Sequence, residues 1–124
     1  ITITLHDAPS LSVIADREHL LRVFNNLLKN AVQAIPEGRE GHVDVRLRHD
    51  NGEALVEVAD NGEGIAEDVR ERIFTPSFTT KNSGMGLGLA MVKRMVEQAG
   101  GRVWFETRIN EGTSFFVALP LVKA

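Results

Sequence analysis

Three groups of residues have types and spacings that could do chemistry, and each lies in a different kind of segment. The first is the amide series Asn26, Asn30 and Gln33, within Asn26-Leu27-Leu28-Lys29-Asn30-Ala31-Val32-Gln33-Ala34. Asn is a poor helix former, so two of them inside a helical pattern call for a reason. An amide oxygen can ligate a hard cation; the same groups also suit a solvated face or caps on neighbouring backbone. The second is Asp60, which shares the parity of Val56 and Val58 in an alternating run and so points to the face those valines bury. A buried carboxylate needs a partner such as an amine, although an Asx-type turn ending a strand would also place an acid there. Gly62 and Gly64 follow in Asn61-Gly62-Glu63-Gly64-Ile65 and would let backbone approach a ligand closely. The third is Gly84-Met85-Gly86-Leu87-Gly88-Leu89, a glycine run feeding a helical pattern. The unpaired N–H groups and dipole of a helix start suit phosphate. No Gly-Lys-Ser/Thr closes the run, and its spacing differs from the dinucleotide fingerprint. A plain flexible loop before a core helix is the competing reading.

The elements that must position these groups follow from periodicity. Residues 1–5 alternate as a strand, and residues 11–15, after the Pro9-Ser10 turn, read as a second. Asp16 is an N-cap for a long helix that runs to Ile35, where Pro36 and Gly38 stop it. At 100° per residue the three amides fall within an arc of about 60°, while Leu20, Phe24, Leu27, Leu28, Ala31 and Ile35 centre roughly 140° away. The helix thus has a core face and a separate amide face. Residues 43–47 and 54–59 form a hairpin around Asn51-Gly52. A short charged helix at 67–73 and a long loop through Phe74-Thr75-Pro76-Ser77-Phe78-Thr79-Thr80-Lys81-Asn82-Ser83 come next. Phe74 and Phe78 suit a core contact, a docking surface or a lid hinge equally well. Leu89, Val92, Val96 and Ala99 then hold helical spacing up to Gly100-Gly101, and two strands around Asn110-Glu111-Gly112 finish the chain. Five to seven strands and two long helices predict an α+β two-layer sandwich, a mixed sheet with helices on one face.

Composition bounds the rest. With 124 residues, 43% of them hydrophobic, the chain is one domain, residues 1–124, with one core. A net charge of -3, scattered basic residues and no aromatic platform argue against nucleic acid as a partner. The absence of cysteine excludes disulfides and thiolate metal sites, and the four histidines lack ligand spacing. No apolar run nears the roughly 18 residues that span a bilayer, so the expectation is a soluble domain without membrane contact. The abrupt start in a strand pattern suggests a piece of a longer protein.

Together the parts complement a nucleotide: amides for a metal, an acid for an amine, glycine backbone and helix dipole for phosphates. In this order they resemble the ATP-binding catalytic domain of bacterial sensor histidine kinases, in the GHKL superfamily with its Bergerat-type fold. The similarity is greatest to the nitrogen-regulation branch, where runs like Asn-Leu-Leu-x-Asn-Ala-x-Gln-Ala and Phe-Thr-Thr-Lys occur. It covers essentially the whole chain and rests on the Asn box 26–34, glycine box 60–64, phenylalanine box 74–78, glycine box 84–89 and Gly112-Thr113.

The resemblance implies ATP and Mg²⁺ as ligands. It implies that Asp60 accepts from the exocyclic amine of adenine, that Asn30 ligates Mg²⁺, and that Asn26 and Lys29 assist by amide contact and charge. Gly62, Gly64 and Ile65 would line the base pocket; Gly84, Gly86, Leu87, Gly88 and Leu89 would face the phosphates; Thr113 would approach the base, with Ser114 able to share that task. Residues 66–83 would be the ATP lid, with Thr79, Thr80 and Lys81 at the nucleotide and the phenylalanines touching histidine-bearing helices. One departure is Gln33, where the family often has Lys or Arg one turn past the metal Asn; phosphate charge would then be met by Lys29, Lys81 or Arg72.

ATPases of the superfamily carry a glutamate one turn before the metal Asn to activate water. Here Asn26 stands there and cannot take a proton. The expectation is therefore slow hydrolysis and phosphoryl transfer to a histidine on a separate dimerisation domain, with a response regulator downstream. None of His6, His19, His42 and His49 has the helical His-Glu/Asp setting of an acceptor. A cytoplasmic location and a monomeric isolated domain are implied. An anti-sigma-type serine kinase and a degenerate nucleotide-binding module are the alternatives.

Overall fold

The computed structural model describes residues 1–6, 13, 15–75 and 85–121, with only the backbone of 85–87. In chain order the elements are β1 (Thr2–Leu5), α1 (Arg17–Gln33), β2 (His42–Asp50), β3 (Glu53–Asp60), a 3-10 turn (Glu67–Arg72), α2 (Met85–Gln98), β4 (Arg102–Arg108) and β5 (Gly112–Pro120). They form a five-stranded sheet of order β1-β2-β3-β5-β4. Only β1 pairs in parallel, with β2; the other three pairings are antiparallel. Both helices pack on one face, as an α+β two-layer sandwich requires.

Local chemistry sets the boundaries. Asp16 caps α1, its Oδ1 accepting from the backbone N–H groups of Glu18 at 2.9 Å and His19 at 3.2 Å. The helix ends at Gln33, two residues before Ile35, which lies in the turn leading to Pro36. Asn51 and Gly52 both take positive φ, 49° and 78°, the geometry that a two-residue hairpin with the native strand twist demands. The strand expected at 11–15 contributes a single antiparallel bridge, Val13 with Leu121, and Ala15 bends into the cap; residues 11, 12 and 14 lie outside the described set.

The core joins Val43, Val58, Phe115, Val117 and Leu119 of the sheet to Val23, Leu27 and Ala31 of α1 and Leu89, Val92 and Val96 of α2. On α1 this corrects the predicted core face. Val23, Leu27 and Ala31 are fully buried, whereas Leu20, Phe24, Leu28 and Ile35 are only partly so. The buried seam is rotated by about 50° toward the amide face, because α1 packs against α2 as well as the sheet. The amides therefore border α2.

A second correction concerns the glycine run. Because α2 begins at Met85, Gly86 and Gly88 sit in its first turns and not in a preceding loop. Each glycine costs about 1 kcal/mol relative to Ala in a helix. At Gly88 the close approach of α1 accounts for it: a Cβ there would lie 2.8 Å from Asn26 Oδ1.

Candidate functional site

The site is built at the end of β3. Alternation along this strand puts Ala54, Val56, Val58 and Asp60 on the helix-covered face, and Asp60 is only 8% exposed. Its Oδ1 accepts from the backbone N–H of Gly62 at 2.8 Å and of Thr113 at 3.3 Å. Its Oδ2 is buried and has no hydrogen-bond partner among the described residues. Burial pushes the carboxyl above the ordinary Asp value, with the two backbone donors opposing that shift. A buried acceptor left open beside an otherwise satisfied carboxylate calls for a donor.

The walls around Asp60 leave little room for side chains. Register sets Asp60 opposite Thr113, and Gly112, at φ 135°, has a Cβ position that would collide with the Asp60 carbonyl oxygen. At Gly64, φ is +80° and a Cβ would come within 2.5 Å of the Arg108 carbonyl oxygen. The Ile65 N–H donates to Thr107 Oγ1 at 3.0 Å, and Thr107 and Thr113 share a hydroxyl hydrogen bond of 2.8 Å. Ser114, on the opposite face of β5, donates to Glu57 Oε2 at 2.9 Å. Strand alternation thus separates it from Asp60 and Thr113.

Helix α1 connects this wall to α2. The Glu63 N–H donates to the Ala34 carbonyl at 3.0 Å, and a Cβ at Gly62 would lie 2.5 Å from that same oxygen. One turn back, the Ala34 N–H donates to the Asn30 carbonyl at 3.0 Å. One turn further back is Asn26, whose Nδ2 donates to the Arg22 carbonyl at 2.8 Å while its Oδ1 faces Gly88. Eight residues of helix, about 12 Å at 1.5 Å each, thus lead from the loop after Asp60, past the half-buried Asn30, to the start of α2. Lys29 and Gln33 are exposed on this helix.

The structure brings Asp60, Gly62, Gly64, Ile65 and Thr113 together at one end and Asn26 with Gly88 at the other. Leu89 faces the core instead, 6% exposed. Thr79, Thr80, Lys81 and Gly84 lie outside the described residues, as do the side chain of Leu87 and all of Phe78. Phe74 settles among core rings, 6.1 Å from Phe105 and edge-on to Phe115 at 6.2 Å, so the core contact is the reading that holds for it.

Among the described residues no group of three or more His, Cys, Asp or Glu could hold a metal. A hard cation here would have to take an amide oxygen together with oxygens of its own ligand, and the half-buried Asn30 amide has the right chemistry for that. His6 bonds Asp44 at 2.9 Å, and His19 lies in the first turn of α1, 4.0 Å from Asp16. Sequence reasoning missed Arg39, the side-chain role of Asn61, and Thr107. Asn61 stood inside the glycine box; Arg39 and Thr107 gave no local signal.

The family model for histidine kinase-, DNA gyrase B- and HSP90-like ATPases matches residues 15–123. The C4-dicarboxylate transport sensor protein DctB of Rhizobium meliloti is 44% identical over 88% of this chain and 17% of its own length. The sensor histidine kinase ZraS of Klebsiella oxytoca is 43% identical over 98% of this chain and 26% of its own. Among solved structures, the nucleotide-free catalytic domain of histidine kinase ThkA has a TM-score of 0.81 at 35% identity, covering 95% of this chain and 76% of that one. Full-length ShkA in complex with AMPPNP has a TM-score of 0.83 at 31% identity, over 98% and 26%.

The chain belongs to the histidine kinase-, DNA gyrase B- and HSP90-like ATPase family. Within it, the chain is of the sensor histidine kinase type, a catalytic domain that spans about a quarter or less of the curated relatives it matches. No helix of the described residues is long and apolar enough to cross a membrane.

Proposed function

We propose that this domain binds Mg-ATP and donates its γ-phosphate to a histidine on a separate dimerisation and phosphotransfer domain of the same kinase, in a two-component system. The observation that carries the reading is the buried Oδ2 of Asp60, which has no hydrogen-bond partner among the described residues. The exocyclic amine of adenine would satisfy it; the carbonyl of guanine would set two acceptors face to face. The remaining residues act by position. Gly62 and Gly64 give the base backbone walls, and Thr113 offers a hydroxyl beside them. The α2 start with Gly84, Gly86 and Gly88 offers N–H groups to the phosphates, and Lys29, Lys81 or Arg72 their counter-charge.

Asn30 is the residue that would hold Mg²⁺, which when bound neutralises charge on the triphosphate. With Asn26 one turn before it, no side chain at that position can deprotonate water, so hydrolysis by the isolated domain is slow. Residues 66–83 serve as the lid. The likeness of the Asn box and the Phe-Thr-Thr-Lys run supports the nitrogen-regulation branch. A response regulator as downstream partner, a cytoplasmic location and a monomeric isolated domain complete the proposal.

Calorimetric titration with ATP, with and without Mg²⁺, tests the site. Asp60→Asn turns the open acceptor into a donor facing a donor, and the expected loss is about ten- to a hundredfold, as for a hydrogen bond to a charged group. Asn30→Ala is expected to remove the Mg²⁺-dependent gain while leaving metal-free binding in place. Unchanged affinity in both variants would contradict the assignment.

A further inference from the structure

We propose that Arg39 is a positioning residue for adenine recognition, acting through Gly62 on Asp60. Arg39 stands in the turn after α1, where Gly38 takes φ +86° and the Arg39 N–H donates to the Pro36 carbonyl at 3.2 Å. From there its Nη1 reaches across to donate to two carbonyls, those of Asn61 and Gly62, each at 2.8 Å. The side chain is half-buried. It belongs to no motif that defines the site.

The peptide joining Asn61 to Gly62 is the unit that matters. In a trans peptide the C=O and N–H point in opposite directions. Anchoring the Asn61 carbonyl on Arg39 therefore aims the Gly62 N–H away from Arg39, and that N–H is the 2.8 Å donor to Asp60 Oδ1. Glycine at 62 would otherwise allow this peptide to rotate at low cost. The Asn61 side chain fixes only the preceding residue: its Oδ1 accepts from the His42 N–H at 2.8 Å and its Nδ2 donates to the Glu40 carbonyl at 2.9 Å. Among the described residues, Arg39 alone holds both carbonyls of the 61–62 segment. With Oδ1 engaged by Gly62 at 2.8 Å and by Thr113 at 3.3 Å, Oδ2 is the oxygen left open; without the shorter of these two bonds the carboxylate can turn and spend Oδ2 elsewhere. The cation thus acts on base selectivity without touching the base.

This inference rests on Asp60 as the acceptor for the amine, and the test separates the two. The affinities of the whole chain for ATP and for purine riboside triphosphate, which lacks the 6-amino group, are measured by calorimetry. Wild type is expected to prefer ATP by about tenfold or more. Arg39→Met, which keeps the stem and removes the donors, is expected to cut that preference below about threefold while binding of the analogue stays within about twofold. Should it not fold, Arg39→Gln, too short to reach both carbonyls, is expected to give the same narrowing. An undiminished preference in the variant, or an equal loss for both nucleotides, would overturn the proposal. A wild type without preference would overturn the Asp60 reading and this one with it, before any substitution is made.

Discussion

Asp60 carries opposite obligations to stability and to binding. Its pKa is raised by burial, so the folded chain holds the proton more tightly than the unfolded chain does. The resulting contribution is full below the ordinary carboxylate range and is lost as pH rises through the folded value. At a pH above the folded value the ligand-free protein therefore keeps a buried charge at a cost. Asp60→Asn, with nothing to ionise there, is expected to melt higher than wild type at pH 7, by on the order of 1 kcal/mol. The gap should close as the pH is lowered through the raised pKa, which thermal melts across pH 4–7 would show. A variant less stable than wild type at pH 7 would mean that Oδ2 has a partner. Parity along one strand was enough to read Asp60 as inward-facing, because the period of two needs no tertiary information. Arg39 was not readable, because its contacts cross more than twenty positions and its own turn calls only for Pro and Gly.

At the level of elements, α1 is the beam of the site. Its 3.6-residue repeat places Ala34, Asn30 and Asn26 one turn apart, so that a single helix faces the loop after Asp60 and the start of α2. Two glycine substitutions along it should behave differently. At Gly62 a Cβ meets the backbone oxygen of Ala34, which cannot yield without separating loop from helix. Gly62→Ala is expected to cost about 1–3 kcal/mol of stability and to weaken ATP binding together. At Gly88 the obstacle is only the end of the Asn26 side chain, and Ala gains about 1 kcal/mol of helix propensity. Gly88→Ala should leave the melting temperature unchanged or higher and yet weaken Mg-ATP binding by displacing Asn26. Melts paired with titrations check both; equal behaviour of the two variants would count against this placement of the helices. The start of α1, the hairpin and the late strands were legible from caps, turns and alternation. The register of α1 and the start of α2 were not. Both follow from the packing of one helix on the other, which rotated the buried seam toward the amides and absorbed two glycines into a helix.

The described residues form a two-layer sandwich with the candidate site at one end of the sheet, where β3 and β5 hand over to α1. Of the four histidines, His6 is tied to Asp44, His19 lies in the capped first turn of α1, and His42 and His49 are on β2. The fold class, and the convergence of Asp60, Gly62, Gly64, Ile65 and Thr113 at one end of the sheet, were readable because the motifs fall in the order the sheet needs. The residues from 76 to 84 are assigned to the site by resemblance alone, since they lie outside the described residues. The most direct test of the central claim is incubation of the isolated domain with γ-labelled Mg-ATP, first alone and then with a dimeric helical domain bearing the acceptor histidine. The prediction is no label on the domain itself, slow release of phosphate, and rapid label on the added histidine. Strong labelling of the domain alone, or steady hydrolysis that the added domain does not divert, would contradict it.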